Sequence, residues 1–151
     1  MDLITGLFDM DFAALVPEMS SVLGTVRTLL ILAVLAGPIA MVVLGALYLF
    51  AAPTEANYKF GFRTYFGMGS VEAWRFSQKI AGLAFGGLGV ILLIVMIIVV
   101  IGFGGKDAFR IAQTAITCLC WQAGLVLVAR LTVAVLAGVF FTADGGRRQK
   151  A

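Results

Sequence analysis

Histidine is absent from this chain of 151 residues, which removes the usual proton shuttle, the usual general base and the commonest metal ligand. Cysteine is nearly absent: Cys118 and Cys120 lie two apart in an apolar run. On a helix such residues point to almost opposite faces, so the expectation is buried, inert thiols rather than a disulfide, a metal site or a redox pair. Charge is also scarce. Only 13% of the residues are charged and 62% are hydrophobic, against about 25% and about 45–50% in a soluble domain. A membrane protein of one domain is therefore expected.

Further absences narrow the function. No acidic residue falls inside a long apolar run, which argues against a proton-coupled pump. The sequence has no phosphate loop and no serine elbow, so neither an enzyme nor a cofactor or metal site is expected. No basic run with interleaved aromatics points to nucleic acid, and the net charge of +3 reads better as a topology signal. The opening MDLITGLFDM carries acids in place of a basic n-region, so it is expected to stay on the mature protein.

A spanning helix needs about 20 mostly apolar residues. Thr28 to Thr54 and Ile80 to Gly105 contain no charge, and Ile111 to Ala143 contains only Arg130. Before them, Leu3 to Leu23 holds Asp9, Asp11 and Glu18, while Phe8, Phe12, Leu15 and Met19 recur at helical spacing. That segment reads as a short helix lying at the membrane interface. The expected fold is all-α: a polytopic bundle of three transmembrane helices, a short N-terminal interfacial helix and a cytoplasmic-face helix-turn segment. The divisions are 1–26 (interfacial segment), 27–105 (two spans with an intervening segment 55–79), 106–143 (third span) and 144–151 (tail).

Basic residues set the orientation. With three spans, one side holds three, Arg27, Lys106 and Arg110. The other holds seven: Lys59, Arg63, Arg75, Lys79, Arg147, Arg148 and Lys150. The positive-inside rule puts the second set and the C-terminus in the cytoplasm and the N-terminus outside.

Three details stand out within the spans. Pro38 follows Gly37 in mid-span; it has no N–H, so the carbonyl of Val34 loses its helical partner and a kink is expected. Gly82, Gly86 and Gly89 share one face of the second span, where small residues let helices approach, within the monomer or in an oligomer. Arg130 lies either at mid-depth, where a central arginine usually marks function, or at the cytoplasmic edge, where it snorkels.

The segment NYKFGFRTYFGMGSVEAWRFSQKIAG, Asn57 to Gly82, lies between two spans. Asn57 and Gly61 are turn formers, Gly67 and Gly69 mark a second turn, and Ser70 is a good N-cap with Glu72 in the first turn after it. A helix then runs through Trp74, Arg75, Gln78 and Lys79 into the second span. Aromatics from Tyr58 to Trp74 suit the headgroup level, and the cations suit anionic phosphates. Arg63 and Glu72 are a candidate ion pair, with Trp74 as a wedge.

The pattern Asn57-x-x-x-Gly61-Phe62-Arg63-Thr64, then Ser70-x-Glu72-Ala73-Trp74, then Gly82, resembles the signature of the SdpI family of bacterial membrane proteins. The likeness covers about Leu29 to Gly105, over half of the chain. It departs at Gln78, where the family usually has Asn, at Ala56, where Pro often stands, and in lacking the founding member's additional N-terminal membrane helices. The resemblance implies a multi-pass protein of the bacterial cytoplasmic membrane. It implies immunity to a membrane-active peptide toxin, capture of a cytoplasmic regulator, or both. The candidate partner-binding residues are Asn57, Gly61, Arg63, Thr64, Glu72, Trp74, Arg75, Gln78 and Arg130. The alternative is a small accessory subunit of a larger membrane protein complex, with Gly82, Gly86 and Gly89, or Gly138, as the contact face. Expected partners are thus the lipid bilayer and a toxin peptide, a cytoplasmic regulator or a larger membrane protein.

Overall fold

The computed structural model describes residues 12–56, 59–143 and 146–147, with side chains from residue 21 onward. Three helices carry it: α1, Phe12–Phe50; α2, Val71–Ile101; and α3, Ala108–Phe140. Among the described residues there is no strand, only a single bridge between Phe141 and Arg147. Each helix has a stretch long and apolar enough to cross a membrane, Ser21–Phe50, Val71–Ile101 and Ala108–Phe140. Their outer faces carry large apolar side chains, with Leu83, Ile91 and Ile98 each 60% exposed or more. A surface of that kind is covered by lipid in a multi-pass membrane protein. Threonines on these helices turn their hydroxyls back onto their own backbone, as Thr117 does to the Gln113 carbonyl at 2.9 Å. That keeps these threonine hydroxyl protons from facing hydrocarbon.

α1 and α2 pack through glycines. A methyl group on Gly45 would overlap the backbone of Gly86, so the two helices touch main chain to main chain there. Gly82 lies against Leu49 and Gly89 against Met41 and Val42, which continues the same seam. The face of Gly82, Gly86 and Gly89 is thus turned to α1 within the chain, and Gly138 is covered by the Phe66 ring. None of the four is open as a contact face for a larger complex.

The N-terminal expectation is corrected in part. α1 runs unbroken from Phe12 to Phe50, so the described part of Leu3–Leu23 is the start of α1 rather than a separate helix. Between Glu18 and Arg27 there is no proline and only Gly24 is a strong helix breaker, and a single glycine costs a helix about 1 kcal/mol. Residues 1–11 lie outside the described residues.

α1 also runs through Pro38, which is fully buried. The carbonyl that Pro38 leaves without a donor, that of Val34, accepts the side-chain N–H of Gln122 from α3 at 2.9 Å. Gln122 is 5% exposed, so this bond replaces the missing helical one in a nonpolar setting. Gly37 makes the room, because a methyl there would strike the Gln122 amide oxygen. The cysteines are both free, Cys118 half-buried and Cys120 exposed, so the expectation that both are buried is corrected.

Candidate functional site

The loop from Lys59 to Ser70, between α1 and α2, folds back onto the bundle. Gly61 has a φ of +119°, a conformation that side chains rarely adopt, and a Cβ there would lie 2.6 Å from the Trp74 ring. Glycine therefore lets the chain turn against the indole. The next residue, Phe62, is held by both ends of one side chain. Its N–H donates to Gln78 Oε1 at 2.8 Å, and its carbonyl accepts from Gln78 Nε2 at 2.8 Å. Both residues are buried, so the amide supplies the pairing that water would give an exposed loop.

Trp74 makes the second tie. It is wholly buried, and its indole N–H donates to the Pro53 carbonyl at 2.8 Å, just past the end of α1. Neither this ring nor that of Phe62 is exposed to lipid headgroups: the indole is packed behind Gly61, and Phe62 is likewise inside. Tyr65 stays out, 78% exposed.

Thr64 closes the third tie. Its hydroxyl accepts the Gly67 N–H at 3.0 Å, and its carbonyl accepts the Met68 N–H at 3.2 Å, which winds a 3-10 turn over Phe66–Met68. The turn sets Phe66 against Gly138 of α3. Ser70 then caps α2, accepting the Ala73 N–H at 3.1 Å, with Glu72 in the first turn. With Phe62 also packed on Tyr48 of α1, the loop is fastened to all three helices.

An aromatic cluster fills the space beneath. Phe62 stands 5.8 Å from both Tyr48 of α1 and Phe85 of α2, ring centre to ring centre. The guanidinium of Arg130 lies 6.0 Å over the Phe62 ring, a cation–π contact from α3. Arg130 shares a cavity wall with Tyr48, which is two residues from the end of α1. This places it close to the end of the bundle where α2 carries Arg75 and Lys79.

Gly61, Arg63, Thr64, Trp74, Gln78 and Arg130 thus gather in one place. Asn57 lies outside the described residues. The expected Arg63–Glu72 pair is corrected: Glu72 lies 3.6 Å from Arg147, both well exposed, because the chain after α3 turns back at Phe141 toward the start of α2. Arg75 points to a different cavity of about 460 Å³, with Glu72 and Lys79, between the end of α1 and the start of α2. Sequence reasoning missed Tyr48, Phe85 and Ser77. Ser77 is fully buried against Gly67, and its hydroxyl has no hydrogen-bond partner among the described residues. No sequence signal marks Tyr48 or Phe85, since a ring in a span reads as lipid-facing until its neighbours are known.

A second cavity, of about 340 Å³, opens between Arg63, Arg130, Tyr48, Phe62 and Phe85. The arrangement can present two guanidinium groups and a phenol beside a fixed, partly aromatic loop. Compared with protein-family models, curated proteins and solved structures, the chain matches none of them.

Proposed function

We propose that this chain is an SdpI-like protein of the bacterial cytoplasmic membrane, with its N-terminus outside and its C-terminus in the cytoplasm. It gives immunity to a membrane-active peptide toxin, binds a regulator at the cytoplasmic face, or does both, and it is not an enzyme. One observation carries the reading. Residues that bear the resemblance build the loop: Gly61 makes the turn, Thr64 winds it and Trp74 backs it, while Gln78, at the position of the family's Asn, ties it down. An anchor between two spans needs only apolar and cationic side chains. A loop fixed by four buried or half-buried polar contacts presents one surface, and a fixed surface suits recognition.

Gln78, the departure from the family pattern, supports the reading on chemical grounds. Asn and Gln carry the same amide, and one amide suffices to hold both polar groups of Phe62.

The test uses cells of the native host lacking the chain, challenged with secreted killing peptides. Sensitivity should appear on deletion, return to resistance with the wild-type copy, and persist with Arg63→Ala or Trp74→Ala. Unchanged sensitivity to every peptide, together with no soluble protein captured by the tagged chain, would remove the proposal.

A further inference from the structure

We propose that the cavity between Arg63 and Arg130 is a binding site for the phosphate group of an anionic phospholipid. Two guanidinium side chains, one from the loop and one from α3, line the same cavity of about 340 Å³. Among the described residues no carboxylate lines it, and Arg130 makes no ion pair. An anion in that space meets positive charge from two elements. Arginine is also the residue whose planar fork matches a phosphate with two parallel hydrogen bonds.

The remaining walls choose the kind of phosphate. Tyr48 contributes a phenol, while Phe62, Phe85 and Leu44 are apolar. A free inorganic ion would leave those rings unused. A lipid phosphate brings its own methylenes to them. The position fits as well. Tyr48 lies two residues before the end of α1, and Phe62 is bound by Gln78, the neighbour of the exposed Lys79 on α2. The cavity therefore lies toward the loop end of α1 and α2, beside the cations of α2, while α3 continues past Arg130 to Phe140; basic pockets between helices on that side take anionic headgroups. Leu44 is 37% exposed on the outer face of α1, which offers an acyl chain a path from the cavity into the bilayer.

This inference is independent of the immunity reading and is tested without toxin or host. The purified chain in mild detergent is titrated with phosphatidylglycerol, phosphatidylcholine or inorganic phosphate, and retained ligand is read by native mass spectrometry. One phosphatidylglycerol should be retained at least about ten-fold more tightly than phosphatidylcholine, the size of one charge-assisted contact. Arg130→Gln should erase that preference. Arg130→Lys, which keeps the charge and loses the fork, should leave part of it. Lys79→Gln, a cation at the same level outside this cavity, should leave it unchanged. Where Arg130→Gln lowers the unfolding temperature, Arg63→Gln with unchanged unfolding carries the comparison. Equal retention of the two lipids, or an equal loss in Lys79→Gln, would overturn the site. Displacement of the lipid by millimolar inorganic phosphate would overturn lipid as the source while keeping the two-arginine phosphate site.

Discussion

Two buried glutamines hold this bundle in two different regions, and they solve different problems. In mid-bundle, Gln122 of α3 answers a defect in a neighbouring helix: Pro38 leaves the Val34 carbonyl open, and one N–H fills it. At the loop end, Gln78 of α2 answers no defect in a helix. It uses both atoms of its amide to hold a loop residue, Phe62, which has no other element to pair with. The first is a repair within the scaffold. The second fixes a surface. In a low-dielectric setting both are strong for the same reason, that the alternative is an unpaired backbone group away from water. The lesson is that a lone amide in an apolar helix marks a backbone group elsewhere that needs a partner.

The comparison can be broken most severely at the loop end. Gln78→Leu leaves two buried groups of Phe62 unpaired, at about 1–3 kcal/mol each. We expect the loop to come away, read as new protease cleavage after Arg63 and a large fall in unfolding temperature. Next in size is Gly61→Val. It forces a branched side chain into a φ of +119° and against Trp74, a strain of about 1–3 kcal/mol. The same loop release should follow with the Gln78 amide intact.

Gln122→Leu should be milder, since one carbonyl is left open, at about 1–3 kcal/mol. It also sharpens the comparison by permitting rescue. With Pro38→Ala in the same chain, the new N–H at position 38 pairs with Val34 in the ordinary helical way. The double variant should therefore be less destabilised than the sum of the two singles in a thermal-unfolding cycle. The smallest effect belongs to the exposed Glu72–Arg147 pair, 3.6 Å apart. Glu72→Gln should change stability by less than about 0.5 kcal/mol, and by nothing measurable in high salt.

How much of this was legible in the sequence differs between the two regions. The three spanning helices, the Ser70 cap and the acidic first turn at Glu72 follow from apolar runs and short-range chemistry. So does the open carbonyl of Val34, which Pro38 announces by itself. Its donor does not, because Gln122 lies 88 residues away and only the packed bundle brings it near. At the loop end the spacing of Gly61, Trp74 and Gln78 marks a folded element, yet not its inside. Trp74 and Phe62 look like headgroup aromatics until Gly61 is seen to give the indole its room. The Arg63–Glu72 pairing failed for a related reason: nearness in sequence suggested it, while the turn at Phe141 brought Arg147 to Glu72. The described part of the separate N-terminal helix failed because an acid such as Glu18 argues against spanning but does not interrupt a helix.

The central claim is that the Lys59–Ser70 loop is a fixed part of the bundle and that Gln78 fixes it. Hydrogen–deuterium exchange at the Phe62 amide, in lipid nanodiscs, tests this most directly. The account predicts exchange as slow as in the core of α2 for the wild type, and fast exchange at Phe62 in Gln78→Leu while Val34 and its neighbours stay protected. Fast exchange at Phe62 in the wild type would contradict it.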